Sequence, residues 1–284
     1  MKKILITGAN SYIGTSFEKY MAQWPEKYQV DTVDMIDGTW REKDFSGYDT
    51  VFHVAGIAHQ KETQENAELY CKINRDLAFD TAVKAKTDGV KQFIFLSSMS
   101  VYGLETGVIT KETVPTPKSN YGKSKLQAEE LLGGLADETF KVAILRPPMV
   151  YGKGCKGNYR TLSKLACKLP IFPAVKNERS MLYIDNLSEF VQLMIENEEK
   201  GIFWPQNAEY SNTTDLVKMI ARVHGKKIAI IPGFAWLLKI FGCFSGIVNK
   251  AFGDLIYEQS LSEYRVEYRL ISLEKLISIE ESFE

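Results

Sequence analysis

Between Lys3 and Leu145, short apolar runs alternate with helical stretches. Lys3-Ile4-Leu5-Ile6-Thr7 stops at Gly8, and a helix is expected from Thr15 to Trp24, with Pro25 just past its end. Tyr28–Val33 and Thr50–Val54 read as further strands, and Leu69–Lys86 carries a helical pattern. Gln92–Leu96 is a strand ending in Ser97-Ser98, Tyr121–Leu132 a helix, and Val142–Leu145 another strand. Continuous apolar runs of this length suit strands buried on both faces, as in parallel sheets. Helices between them supply the crossovers and cover those faces. The expected fold is therefore α/β, a Rossmann-type doubly wound parallel sheet.

Beyond Arg146 the rhythm changes. Pro147, Pro148, Pro170 and Pro173 interrupt a helix around Arg160–Leu169; a strand-like Met181–Ile184 and a helix over Asn186–Asn197 follow. Two more helices are expected, over Asp215–His224 and within Phe234–Ile247. This predicts a smaller, mixed α/β lobe for the substrate. The expected division gives 1–146 plus about 180–203 to the sheet domain, and 147–179 with 204–284 to the smaller lobe. No Gly/Ser linker separates them, so they are expected to share a crevice.

Composition excludes several function classes. The 284 residues carry 35 basic and 36 acidic side chains, a net charge of -1 with no footprint for nucleic acid or anionic lipid. Three histidines and no HExxH or paired Cys/His spacing predict no metal site. Cys71, Cys155, Cys167 and Cys243 form no CxxC pair; they read as reduced, mostly buried thiols of a cytoplasmic protein. The run Ile4-Leu5-Ile6 is too short for a secretory leader. Ile228–Val248 is apolar but contains Pro232, Lys239, Gly233, Gly242 and Gly246, whereas a spanning helix needs ~20 continuous apolar residues. A kinked helix is expected there, with peripheral membrane association as its remaining role.

Thr7-Gly8-Ala9-Asn10-Ser11-Tyr12-Ile13-Gly14 lies between a strand and a helix. Gly8 permits the tight turn, and Gly14 lets the helix pack on the sheet. The backbone from Asn10 through Ser11, Tyr12 and Ile13 then presents a helix N-terminus to a pyrophosphate. Ser11 stands where GxxGxxG has its middle glycine; its hydroxyl is expected to donate to phosphate. Twenty-six residues after Gly8, Asp34 ends the second strand, where a carboxylate accepts both ribose hydroxyls and repels a 2′-phosphate. That favours NAD over NADP. The bland alternative is a solvated loop acid, since Asp31 and Asp37 flank it.

Ser97-Ser98-Met99-Ser100-Val101-Tyr102-Gly103 follows a strand at its carboxyl end, where doubly wound sheets bind ligands. Tyr121 and Lys125 lie four apart, on one helical face. A free phenol has a pKa of ~10, and a nearby cation draws it down. Lys125 is expected to do so for Tyr121, with Ser98 bonded to the same substrate oxygen.

With these motifs in place, the chain resembles the extended short-chain dehydrogenase/reductase superfamily, in its NAD-dependent epimerase/dehydratase family and the sugar-nucleotide 4-epimerase and 4-keto-reductase branch. The resemblance covers essentially the whole chain, through Asp44-Phe45, His53-Val54-Ala55-Gly56, Asn74, Leu145–Gly152 and Arg179–Leu187. It implies that Asp44 and Phe45 flank the adenine, and that Val54, Ala55 and Gly56 line the diphosphate and ribose. Asn74 would steady the strand end beside the nicotinamide, and Pro147 and Pro148 would meet its carboxamide. Ser98, Met99, Ser100 and Tyr121 would face the sugar; Asn158 and Arg179 would hold the nucleotide diphosphate, Arg bidentately. Met149 departs from the Asn many members carry there.

The resemblance implies a UDP-linked hexose or N-acetylhexosamine substrate, a 4-keto intermediate, surface-polysaccharide synthesis and a homodimer. Ser98, Tyr121 and Lys125 would serve a 4-epimerase or, equally, an NAD(P)H-dependent reductase of a 4-keto-6-deoxy sugar nucleotide. Dehydratases of the family place an Asp-Glu pair after the hydroxyl residue; Met99 and Ser100 stand there instead. The rival from another class is a non-catalytic dinucleotide-binding sensor on the same fold.

Overall fold

A computed structural model of the chain describes residues 1–58, 63, 66–155, 158–232 and 253–270. The elements run β1 (Lys2–Thr7), α1 (Tyr12–Met21), β2 (Tyr28–Val33), β3 (Thr50–His53), α2 (Ala67–Tyr70), a π-helical segment (Cys71–Asp76), α3 (Leu77–Thr87) and β4 (Gln92–Leu96). Then come β5 (Gly107–Ile109), α4 (Asn120–Gly133), β6 (Lys141–Leu145), β7 (Met149–Tyr151), α5 (Asn158–Lys168), β8 (Ile171–Pro173) and β9 (Met181–Tyr183). The described order closes with α6 (Ile184–Glu196), β10 (Gly201–Phe203), α7 (Thr213–Val223), β11 (Ala229–Ile231) and β12 (Leu255–Tyr257).

Six parallel strands form the central sheet in the order β10-β6-β4-β3-β1-β2. The chain steps outward from β1 to β2, then returns to lay β3 on the other side of β1. The switch point of the sheet therefore lies between β1 and β3, whose last paired residues are Thr7 and His53. Alternate residues feed opposite faces, as the strand period requires. Leu5, Val51, Phe93, Phe95, Val142 and Ile144 pack under the alanines of α3 and Ala128 and Leu132 of α4. On the other set of positions, Phe52 meets Phe17 of α1 edge-on, with ring centroids 5.2 Å apart. The α/β parallel fold expected from the sequence is the one observed.

Two expectations need correction, and one strand is new. The first helix begins at Tyr12, not Thr15, because the Ser11 side chain caps it, and it ends at Met21. The helical pattern over Leu69–Lys86 is broken by the π-helical segment, in which Asn74 is fully buried. A π turn takes in an extra residue and so changes which side chains face inward. The strand Gly201–Phe203, too short to read from pattern, completes the sheet against β6.

The chain divides into two compact units, Met1–Gly103 with Val114–Pro148 and Leu187–Pro205, and Leu104–Thr113 with Met149–Asn186 and Gln206–Glu284. The second contains the parallel pairs β7–β9, β8–β11 and β5–β12. Within it, the Asn212 side chain caps α7 by accepting from the N–H groups of Thr214 and Asp215. Cys71, Cys155 and Cys167 form no disulfide, but only Cys155 is buried, so the described thiols are less buried than expected. No helix of the described residues is long and apolar enough to cross a membrane. The expected helix within Phe234–Ile247, Cys243, and the apolar run after Pro232 lie outside the described residues, while the start of that run, expected as helix, forms the strand β11 paired with β8.

Candidate active site

Both glycine-bearing turns at the switch point are built by close backbone approach. Gly8 has φ +112°, and a Cβ added there would stand 2.8 Å from the Ala55 nitrogen. The N–H groups of Val54 and Ala55 both donate to the Thr7 carbonyl, at 3.1 and 2.9 Å, drawing the turn after β3 against the turn after β1. Thr7 Oγ1 and His53 Nδ1 lie 2.7 Å apart just beneath. Asn10 takes a left-handed φ of 63° to bring the chain to the start of α1. Ser11 Oγ accepts from Gly14 N–H at 3.1 Å. The hydroxyl expected to serve phosphate is thus the helix cap, which explains why serine suits a glycine position here. Tyr12 and Ile13 form the first positions of the capped helix.

At the end of β2, Asp34 Oδ1 accepts from Ile36 N–H at 2.8 Å in a local turn. Its acidic neighbours are occupied differently: Asp31 accepts from Tyr48 Oη at 2.8 Å, and Asp37 accepts from the backbone and hydroxyl of Thr39. Asp44 is exposed and binds Ser46 N–H and Oγ, which hold its carboxyl below the usual range. The Phe45 ring is fully buried in the core, and its N–H donates to Asp88 at 3.0 Å. Only backbone of Phe45 is left for a ligand-facing role.

Across the sheet, Ser98 lies two residues past the end of β4 and caps a 3-10 turn over Met99–Tyr102, its Oγ accepting from Ser100 N–H at 3.1 Å. Ser119 caps α4 in the same manner, accepting from Gly122 N–H at 3.0 Å. A Cβ at Gly122 would lie 2.4 Å from the Ser100 carbonyl oxygen, so glycine between Tyr121 and Lys123 lets α4 seat against the serine turn. This sets Tyr121 near Ser98, whose hydroxyl lowers the phenol pKa. Tyr70 packs edge-on to Tyr121, centroids 6.3 Å apart.

Lys125 is buried; its Nζ donates to the Leu96 carbonyl at 2.8 Å and lies 4.6 Å over the Phe95 ring. Burial brings its pKa down to about 8, against the opposing pull of Glu129. Lys125 is not among the groups that shift Tyr121 in the chain by itself. Burial raises the Tyr121 phenol, and the Ser98 hydroxyl is the influence that lowers it.

Asn74 joins this site to the turn after β3. Its Oδ1 accepts from Ile57 N–H at 2.8 Å, and its Nδ2 donates to the Ile57 carbonyl and to Ser124 Oγ, both at 3.1 Å. Ser124 Oγ in turn donates to the Tyr121 carbonyl at 2.9 Å. Ser124 and Ile57 were not singled out from the sequence; only the position of Ser124 between Tyr121 and Lys125 hinted at a shared role.

A dinucleotide fits this arrangement. A Cβ at Gly56 would stand 2.9 Å from Asn74 Oδ1 and 3.4 Å from Lys125 Nζ, so the glycine keeps backbone floor open beside Asn74 and Lys125. Gly8, Gly14, Asp34, Gly56, Asn74 and Lys125 all lie in the first unit, as do Pro147 and Pro148. The Pro147 carbonyl already accepts from Met99 N–H at 2.9 Å. Asn158 and Arg179 belong to the second unit. Asn158 opens α5. Arg179 Nη1 donates to the Gly253 carbonyl at 2.9 Å, and burial lowers its pKa.

Comparison with known proteins agrees with this geometry. A profile of the family described as "NAD dependent epimerase/dehydratase family" matches residues 4–203. The chain is 30% identical over 283 residues to the UDP-glucose 4-epimerase of Vibrio cholerae, covering 89% of this chain and 86% of that one. It is 29% identical over 217 residues to the N-acetyl-alpha-D-glucosaminyl-diphospho-ditrans,octacis-undecaprenol 4-epimerase of Escherichia coli O157:H7, covering 70% and 64%. The crystal structure of UDP-glucuronic acid 4-epimerase from Bacillus cereus in complex with NAD shares the fold with a TM-score of 0.75, 18% identity and coverage of 99% and 98%. Since the profile takes in the switch point and the Ser98–Tyr121–Lys125 set, and the Vibrio relative nearly the whole length, the chain belongs to the NAD dependent epimerase/dehydratase family.

Proposed function

We propose that the chain is a sugar-nucleotide 4-epimerase acting on a UDP-linked hexose or N-acetylhexosamine through a transient 4-keto sugar, in surface-polysaccharide synthesis in the cytoplasm. The observation that carries this reading is the close seating of α4 on the serine turn, which sets Tyr121 beside Ser98 past the carboxyl end of β4, with Lys125 one turn along α4. The 30% identity to a UDP-glucose 4-epimerase supports the substrate class. The lobe 1–146 with about 180–203 holds the cofactor, and 147–179 with 204–284 the sugar nucleotide, Asn158 and Arg179 meeting its diphosphate. The enzyme works as a homodimer.

Gly8, Asn10, the α1 N-terminus and Asp34 would hold NAD, with Gly56, Asn74 and Lys125 at its nicotinamide end. When bound, NAD supplies the acceptor and donor of hydride at the sugar carbon. Tyr121, as phenolate, takes the proton of the 4-hydroxyl and returns it after the keto sugar turns its other face. Ser98 donates to the developing alkoxide, the charge such a site must stabilise. Asn74 keeps the floor and α4 in register, so that the reacting groups meet without reorganisation.

The test is incubation of the purified protein with UDP-glucose and UDP-N-acetylglucosamine without added cofactor. The 4-epimers should form, NAD should be released on denaturation, and Tyr121→Phe should abolish turnover while retaining NAD. Oxidation of NAD(P)H by a 4-keto-6-deoxy sugar nucleotide, with no epimer, would replace this reading with the reductase. Bound NAD without either turnover would replace it with a sensor.

A further inference from the structure

Behind Ser98 and Lys125 lies a buried ion pair to which the reaction scheme assigns no task. Arg146 is 5% exposed, and its Nη2 lies 2.5 Å from Glu129 Oε2, with Nε 3.1 Å from both carboxylate oxygens. Burying such a pair is costly unless its remaining groups are also bonded. Here they are. Ser97 Oγ donates to Glu129, and Arg146 Nη1 donates to Tyr102 Oη at 2.8 Å. Trp204 Nε1 donates to the same Tyr102 oxygen at 2.7 Å.

Each partner borders the proposed reacting set. Glu129 stands one helical turn after Lys125 on α4. Ser97 precedes Ser98, and Tyr102 closes the 3-10 turn that Ser98 caps. Either side of Arg146, the Leu145 carbonyl accepts from Ser97 N–H at 2.7 Å and the Pro147 carbonyl from Met99 N–H at 2.9 Å. Ser98 is therefore gripped at both neighbours by the segment carrying Arg146, while the arginine holds α4 through Glu129.

We propose that the Glu129–Arg146 pair is a positioning element that fixes Ser98 against Tyr121 and holds Lys125 in its charged form. The proposal rests on the reading of Ser98, Tyr121 and Lys125 as the reacting set. The ionisable groups that interact with Lys125 are Glu129 on its own helix and His53 on β3, with Tyr121 four residues before it on α4 and Arg146 paired to Glu129. His53 is kept neutral by burial and by Lys125 itself, with a pKa of about 3, so Glu129 is the carboxylate that favours the ammonium.

The test measures kcat, KM and their pH dependence in the NAD-loaded protein. Glu129→Gln should lower kcat roughly 10- to 100-fold, the scale of a small misplacement of reacting groups, and leave the KM for the sugar unchanged. It should also move the alkaline limb to lower pH, because Lys125 then loses its proton more readily. Glu129→Asp restores the charge and should bring that limb back while kcat stays low. A Glu129→Gln enzyme with wild-type kcat and an unmoved limb overturns the proposal, as does a variant altered only in thermal stability. If Glu129→Gln does not fold, Ser97→Ala deletes one hydroxyl alone. It should lower kcat without moving the limb, and a wild-type kcat there also overturns the proposal. Wild-type protein that holds NAD but turns nothing over would sink the functional reading instead. Lys125 titration by NMR then decides the positioning claim: a midpoint unchanged in Glu129→Gln or, failing its folding, in Arg146→Lys overturns it.

Discussion

The Asn74 carboxamide holds both backbone groups of Ile57, accepting from its N–H at 2.8 Å and donating to its carbonyl at 3.1 Å. A side chain thus does for the turn after β3 what a neighbouring strand does within the sheet. The π-helical segment makes the contact, because it turns a fully buried polar residue toward that turn and toward Ser124.

Asn74→Ala leaves the Ile57 backbone groups without this partner. These groups are partly buried and a net hydrogen bond is worth about 0.5–1.5 kcal/mol, so the urea midpoint should drop on that scale and purified protein should retain less NAD. An unchanged midpoint with full NAD content would show that Asn74 holds nothing.

Ser98 and Tyr121 should be separable by pH. The Ser98 hydroxyl lowers the phenol against burial that raises it. In Ser98→Ala the phenol pKa rises further, less phenolate is present at a given pH, and the acid limb of kcat moves to higher pH. The loss at neutral pH should be roughly 10²-fold, within the usual range for acid–base groups. A limb that stays in place would remove Ser98 from the proton path.

Ser11 offers a direct comparison of two roles. As a helix cap, its change to Ala should cost about 1 kcal/mol and its change to Gly only a few tenths. NAD affinity should follow stability rather than hydroxyl chemistry. A Ser11→Gly protein as stable as wild type but much weaker in NAD binding would restore the phosphate role.

His53 sets an acid limit on stability. In the fold, burial and Lys125 lower its pKa to about 3, and it stacks on Phe93 with centroids 5.7 Å apart. Unfolded, it takes a proton near pH ~6.5, so between these values the unfolded chain binds more protons and stability falls as pH drops. From pH 7 to pH 5 this amounts to roughly 2 kcal/mol. Urea midpoints at the two pH values should converge in His53→Gln; an equal drop in both proteins would locate the acid sensitivity elsewhere.

Much of the scaffold was legible from local pattern. Gln92–Leu96 was readable because a strand buried on both faces shows as a nearly unbroken apolar stretch, whereas Tyr28–Val33, at the sheet edge and mostly half-buried, mixes apolar and polar residues. Gly8 was readable because only glycine tolerates its backbone angle and the nearby Ala55 nitrogen. Asn74 was flagged by resemblance, but its work was not readable: its partners lie 17 and 50 positions away. The Glu129–Arg146 pair was likewise invisible, since a glutamate on a helix and an arginine after a strand read as surface residues until both are buried together.

By itself, then, the sequence determined the parallel sheet, its glycine turn and the spacing of Tyr121 and Lys125. Each depends on backbone geometry that repeats over a few residues. Tertiary structure alone decided what the polar groups do there. It made Ser11 a cap, turned Lys125 to the Leu96 carbonyl, and left Ser98 to oppose the effect of burial on Tyr121. The charge and proton of a side chain depend on how much water is removed around it and on which distant group replaces that water. Those quantities exist only once the chain has folded.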